Sequence, residues 1–242
     1  MNRAQWAAVT AVVGALLFAG AATVATAGDG SAEDRVPAVT SADAGFARDM
    51  SVHHQQAVEM SFIVRDRTQD EAVRRLAYDI ANTQANQRGM MLGWLDLWGL
   101  PKVYPAAEPM AWMAGDGDAE AGDGGHSGHG QASGGHGSAG HGSGGHAGHG
   151  GVAAKEGALM PGMATPAELE ELRKAEGKQA EILFLQLMTD HHKGGVAMAQ
   201  GCVELCEPGV ERDLAQGMVE AQQSELTLMA DMLRERGAAP RS

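Results

Sequence analysis

The chain has 242 residues, a formal net charge of −13, two cysteines, ten histidines and 14 methionines, against four tryptophans, four phenylalanines and two tyrosines. So acidic a surface cannot displace the counterions of nucleic acid, which excludes nucleic acid as a partner and favours cations as ligands. Two cysteines are too few to frame a disulfide scaffold.

In chain order, residues 1–27 read as an export leader. Arg3 gives the positive start, Trp6 to Val24 is apolar and alanine-rich, and Ala25-Thr26-Ala27 fits a small-residue cleavage site. The apolar run is also long enough for an uncleaved N-terminal membrane anchor, although its alanine and glycine content makes it a weak spanning segment. Either fate puts the folded part outside the cytoplasm, as a secreted, periplasmic or cell-surface protein. Cleavage removes Arg3 and takes the charge from −13 to −14. Residues 28–41 read as a polar linker.

From residue 42 the pattern turns helical. Ser41 or Asp43 can cap the start, and Phe46, Met50, His53, Ala57, Met60 and Val64 then recur at the spacing of one helix face. The spacing predicts a first helix ending near Arg67 and a second from about Asp70 to Trp98, stopped by Gly99 and Pro101. Residues 42–100 are thus a first helical hairpin. Residues 101–157 form a connector, whose Gly-, Ser- and His-rich part (114–157) has almost nothing to bury and is predicted to be disordered. It carries His126, His129, His136, His141, His146 and His149. Residues 158–237 form a second hairpin: one helix from about Pro166 to Cys206, with a break near Gly177, a Pro208-Gly209 turn, and a last helix from about Val210 to Arg236. Residues 238–242 are a tail.

The second hairpin repeats the first. Phe46, Met50, His53, His54, Val58 and Met60 return as Phe184, Met188, His191, His192, Val196 and Met198, each 138 positions on (184 − 46). Leu76, Ala77, Gln84, Met91 and Leu95 return as Leu214, Ala215, Gln222, Met229 and Leu233. Two amphipathic hairpins bury their stripes together as an all-α four-helix bundle, with the 101–157 connector as its long crossover.

The paired histidines, with methionines one turn away and Glu225, are the candidate metal ligands. Neighbours on a helix point about 100° apart, so His53 and His54 cannot both sit at the centre of one stripe. Met50 lies three and four residues before them and touches both. Met60 lies seven residues past His53, about 10 Å along the axis, beyond the reach of ligand bonds of about 2 Å. Met60 and Met198 therefore read as a separate layer, chiefly core filler. Folding the first hairpin about residue 69 faces His54 with Gln84, and Met50 with Gln87 and Met91. In the second, His191 faces Gln222 and Glu225, and Met188 faces Glu225 and Met229. Docking by an approximate two-fold would bring both histidine pairs to one central region. The bland reading is that each histidine is a core residue satisfied by a glutamine.

Imidazole with thioether favours copper, above all Cu(I), over hard cations. A carboxylate di-iron centre is disfavoured, because it needs Glu-x-x-His motifs and none of the four helices has one. Gln87 stands opposite Glu225 in the repeat, and Glu59 opposite Ala197. The connector histidines read as a second capture site for Cu(II), zinc or nickel. Met110 with Met113, and Met160 with Met163, flank that segment as soft ligands or as apolar anchors. Cys202 and Cys206, four apart, can form a disulfide or a dithiol copper site, and Cys202 lies about 16 Å along the helix from His191.

The pattern F-x3-M-x2-HH-x3-V-x-M, present in both halves and followed by L-A-x6-Q-x2-[QE]-x3-M-x2-[WM]-L, resembles the domain-of-unknown-function-305 family, which includes CopM-like copper-binding proteins. The resemblance covers residues 42–100 and 158–237. It implies a ferritin-like bundle, an extracytoplasmic location and, as in some members, copper binding and copper resistance, with His53, His54, His191, His192, Met50, Met60, Met188 and Met198 as candidate ligands. Two departures stand out: Gln87 where the family usually has glutamate, and Glu181 where aspartate is common. The function expected is copper binding, for buffering or delivery, with metal ions as the partners and no protein partner specified. No nucleophile–base pair is present to assign catalysis. The rival readings are a metal-dependent redox enzyme, such as a cuprous or ferrous oxidase, and a structural bundle in which only the histidine-rich segment binds metal.

Overall fold

The structure, a computed structural model, describes residues 36–114 and 154–241. The leader and the six connector histidines lie outside the described residues. Five α-helices and one 3-10 turn make up the described chain: α1 (Ala42–Arg67), α2 (Glu71–Leu97), the turn Ala111–Ala114, α3 (Pro166–Lys174), α4 (Gly177–Leu205) and α5 (Val210–Glu235). None of these helices is long and apolar enough to cross a membrane.

Local chemistry sets the boundaries. Ser41 accepts the Ala44 N–H to cap α1, and Asp70 accepts the Val73 N–H to cap α2. Thr165 and Glu168 form a reciprocal capping box on α3, with Pro166 at its first position. The break before α4 falls at Ala175 and Glu176, both extended. Gly99 and Gly237 end α2 and α5 at matching places with φ of +66° and +69°. At each, the residue after the glycine returns a backbone bond, Leu100 N–H to the Leu95 carbonyl and Ala238 N–H to the Leu233 carbonyl, both 2.9 Å.

Helix α1 pairs with α2 and α4 with α5, and the two hairpins meet along α1 and α4. This is the ferritin-like bundle expected. The core is divided in two. One apolar cluster takes the C-terminal half of α1 (Met60, Val64) with the N-terminal half of α4 (Phe184, Met188). The other takes the start of α1 (Phe46, Met50) with the end of α4 (Met198, Cys202). The helices α1 and α4 therefore run antiparallel.

Antiparallel docking corrects the layering inferred from single helices. Met60 shares a cluster with Met188, and Met198 with Met50. Each flank of the bundle's middle thus takes one methionine from each half: Met60 stays apart from Met50, and Met198 from Met188, as expected, but Met60 and Met198 do not share a layer.

Candidate metal centre

Between the two apolar clusters every long helix turns polar at the same level. Helix α1 contributes His53 and His54, α2 Gln84 and Gln87, α4 His191 and His192, and α5 Gln222 and Glu225. All four histidines are fully buried, and Gln84 and Gln222 nearly so.

Each imidazole is held by one nitrogen. His53 Nε2–H donates to the Pro161 carbonyl at 3.2 Å, and His191 Nε2–H to the His53 backbone carbonyl at 2.9 Å. His54 Nε2–H donates to Gln87 Oε1 at 2.9 Å, and His192 Nε2–H to Glu225 Oε2 at 2.7 Å. All four partners are acceptors, so each Nε2 carries a proton, and in the neutral ring the lone pair is then on Nδ1. All four Nδ1 atoms are buried without a hydrogen-bond partner, and so are the Oε1 atoms of Gln84 and Gln222. A buried polar atom left unpaired costs about 1–3 kcal/mol, and native interiors rarely leave one so. Here six unpaired atoms come from all four long helices, and with the rings neutral all six are acceptors. Such a layer is complementary to a cation.

Two pairings differ from expectation, by three residues in the first hairpin and by one in the second. His54 pairs with Gln87 rather than Gln84, and in the second half it is His192, not His191, that reaches Glu225. The helix ends do not account for this, since α1 ends at Arg67 and α2 begins at Glu71, symmetric about residue 69.

Across the seam the His53 and His191 rings lie 3.7 Å apart between centroids, tilted by 34°, and the His191 and His192 centroids are 6.3 Å apart. Burial pushes the His53 imidazole down to about 4 and the His54 imidazole to about 3, with neighbouring histidines adding to the fall. His191 lies well below its ordinary value, first through burial and then through His53 and His192. These rings are neutral at physiological pH, the state in which imidazole binds metal.

The donor set restricts which metal fits. Among the described residues no group of three or more His, Cys, Asp or Glu is placed to hold one ion. A closed four-ligand zinc site or an oxygen-rich calcium site is therefore not built here. Paired imidazole nitrogens supplemented by thioether suit a soft ion of low coordination number, as Cu(I) is. Met50, Met60, Met188 and Met198, all fully buried, flank the histidine layer. Glu225 supports His192 from the Nε2 side, the position of an outer-shell partner. The second departure from the family pattern lies elsewhere: Glu181 binds Thr68 at 2.6 Å and Arg236 at 2.7 Å.

Sequence reasoning offered Met160 and Met163 as soft ligands or apolar anchors, but missed that their turn packs against the histidine layer. Met160 and Met163 are buried, Pro161 supplies the acceptor for His53, and Gln56 clamps the Ala164 backbone through both N–H and carbonyl. A Cβ on Gly194 would overlap the Pro161 carbonyl, and one on Gly195 would press on Gln222 Oε1. Adjacent glycines inside a helix each cost about 1 kcal/mol relative to alanine. The Gly194-Gly195 pair directly after the histidines was the available signal. At the other end of the connector, Trp112 packs edge-on against Phe46 and donates to Asp49, and Met113 lies against Gly201. Met110 donates its backbone N–H to Asp49 at 2.7 Å, so this stretch is held against α1. Cys202 and Cys206, left open between two fates, are joined as a disulfide.

A family model described as Domain of unknown function (DUF305) matches residues 43–233. A DUF305 crystal structure from Streptomyces coelicolor is 56% identical, with a TM-score of 0.65, covering 85% of this chain and 99% of that one. A DUF305 fragment from Deinococcus radiodurans is 26% identical, with a TM-score of 0.54, covering 80% and 96%. CopM in its Cu(I)-bound form is 16% identical, with a TM-score of 0.50, covering 80% and 96%, a likeness of fold. No curated protein is significantly similar to the chain. The chain belongs to the DUF305 family.

Proposed function

We propose that this protein binds copper outside the cytoplasm, for buffering or delivery, and that the buried histidine layer holds it as Cu(I). The observation that carries this reading is the common state of four imidazoles. Each is tied through Nε2–H to an acceptor, and each leaves a buried Nδ1 lone pair unpartnered. That is the arrangement of a metal-ligating histidine, whose second nitrogen is fixed by a carbonyl or carboxylate. His53, His54, His191 and His192 supply nitrogen, and Met50 and Met188, one turn before each pair, supply thioether. CopM has been solved with Cu(I); at its distance from this chain the likeness speaks for the fold, and the copper reading rests on the donors named here.

The six connector histidines extend the same chemistry as a capture segment for Cu(II), zinc or nickel. The leader and the Cys202–Cys206 disulfide support an extracytoplasmic setting, where thiols oxidise. The test is a competition titration of the full chain with Cu(I). One variant replaces the six connector histidines by asparagine, and a second also replaces the four bundle histidines by alanine. The first variant should retain tight Cu(I) binding and the second should lose it. Equal binding by both variants would remove the reading.

A further inference from the structure

A cavity of about 400 Å³ opens where the 102–112 stretch and the chain before α3 cross the start of α1. That volume is in the range of small-molecule sites. Val52, Val103, Tyr104, Trp112 and Leu159 give it apolar and aromatic walls. Val52, Val103 and Leu159 are 44%, 76% and 58% exposed, so its rim leaves apolar surface in water. The opposite wall is tightly built. A Cβ on Gly45 would overlap the Trp112 side chain, so glycine there lets Trp112 seat against α1. Asp49 Oδ2 accepts the Met110 N–H at 2.7 Å and the Trp112 Nε1–H at 3.0 Å. Met110, with φ of +68°, is the one non-glycine residue of positive φ among the described residues. Such a conformation persists only where its surroundings impose it.

Arg48 lines the same cavity and is 8% exposed. Its Nη2 donates to the Val39 carbonyl, and its guanidinium carbon lies 5.5 Å from the centre of the Tyr104 ring. Its Nη1 is buried without a hydrogen-bond partner among the described residues. A guanidinium keeps its charge inside a protein, and a buried charged donor left unpaired is costly. Asp49 turns Oδ2 to the cavity wall instead.

We propose that this cavity binds a small organic monocarboxylate with an apolar body, the carboxylate on Arg48 and the body against Tyr104 and Trp112. The class follows from charge and shape. A carboxylate is the acceptor that a guanidinium pairs with best at short range. Asp49 and Glu108 also line the cavity and oppose a second negative charge, which disfavours dianions such as phosphate monoesters. Lys102 is engaged by Asp96 at 2.8 Å, which leaves Arg48 as the anchor. The apolar walls and rim stabilise the body of the ligand by burial. This site is distinct from the histidine layer, and the proposal stands without the copper reading.

The experiment is a calorimetric titration of the full, metal-free chain with 3-phenylpropanoate and with its uncharged amide, 3-phenylpropanamide. The acid should bind at one site per chain, and the amide about 10–100-fold more weakly, the worth of a charge-assisted hydrogen bond. Arg48→Met should bring the acid down to the level of the amide. Because Arg48 also holds Val39, far-UV circular dichroism checks that fold, and a second pair of variants avoids the network altogether. Val103→Asp places a negative charge on the exposed rim, and Val103→Asn is its uncharged control. The acid should bind Val103→Asp more weakly than Val103→Asn, and the amide should bind both alike. No saturable binding of the acid, equal binding of acid and amide, or indifference of the acid to the rim charge would overturn the proposal. None of these outcomes bears on Cu(I) binding at the histidine layer.

Discussion

His191 donates its Nε2 proton to the backbone carbonyl of His53, 2.9 Å away across the seam between the hairpins, and the two rings lie 3.7 Å apart. One bond thus joins two helices and fixes which nitrogen of His191 keeps its lone pair. Because the acceptor is main chain, no side-chain substitution at position 53 removes it. His53→Ala should keep the docking of α1 on α4 yet lose one Nδ1, lowering Cu(I) affinity at least tenfold. The check is a chelator titration beside a thermal melt.

The depressed histidines make the metal-free fold acid-sensitive. His53 at about 4, His54 at about 3 and His191 well below 6.5 stay neutral in the folded state while the unfolded chain protonates near 6.5. Above that value both states are neutral and pH has no effect through these groups. As pH falls below it, the unfolded state binds more protons and stability drops, by up to about 1.4 kcal/mol per pH unit for each ring, until the folded values are reached. Urea melts of metal-free protein between pH 7 and 4 should show this slope. Replacing His53 and His54 by glutamine should reduce it.

Glu211 gives an opposite slope. Burial, reinforced by the Asp43 carboxylate, raises it to about 9, and neither oxygen has a hydrogen-bond partner. The folded state holds this proton where the unfolded chain has released it. The contribution is therefore full below about 4.5 and is lost as pH rises through about 9. Glu211→Gln should raise the melting temperature more at pH 8 than at pH 5, with about 2–4 °C for each kcal/mol gained. An equal shift at both values would remove this account.

The helices and the paired histidines are legible in the sequence because helical spacing is local, and Phe46 to Val64 declare one face without reference to any partner. The register of His54 against Gln87 is not legible, since it depends on the few backbone angles between Arg67 and Glu71. Nor is the grouping of Met50 with Met198, which follows from the antiparallel docking of two helices far apart in the chain. The hold of Pro161 on His53 is a contact 108 residues apart, and only the costly Gly194-Gly195 pair hinted that something presses there.

That pair yields a contrast within one protein. A methyl at Gly194 meets the Pro161 carbonyl, so Gly194→Ala must shift the Met160–Met163 turn or the helix, at about 1–3 kcal/mol. Gly89 on α2 is exposed, with nothing near its added Cβ, and Gly89→Ala should stabilise by about 0.5–1 kcal/mol. Chemical denaturation of the two variants should give changes of opposite sign. A neutral Gly194→Ala would mean that the turn seated against the histidine layer yields freely.

The disulfide closes a very short loop, and its stabilisation should be correspondingly small. Cys202 and Cys206 are four residues apart, and loop-closure entropy for so short a ring gives about 2 kcal/mol as an upper value. Both cysteines are buried in the cluster that holds Met50 and Met198, so alanine at both positions also removes packing and is the harsher perturbation. Reduction by a dithiol is the gentler one. It should lower stability by no more than that amount, and it should leave Cu(I) binding at the histidine layer within about threefold, because Cys202 stands about 16 Å along α4 from His191. Melting and copper titration of the reduced protein, with its thiols then alkylated to prevent their own metal binding, separate these effects. A collapse of copper affinity on reduction would show that the end of the bundle and its centre are coupled more tightly than their separation along the helix allows.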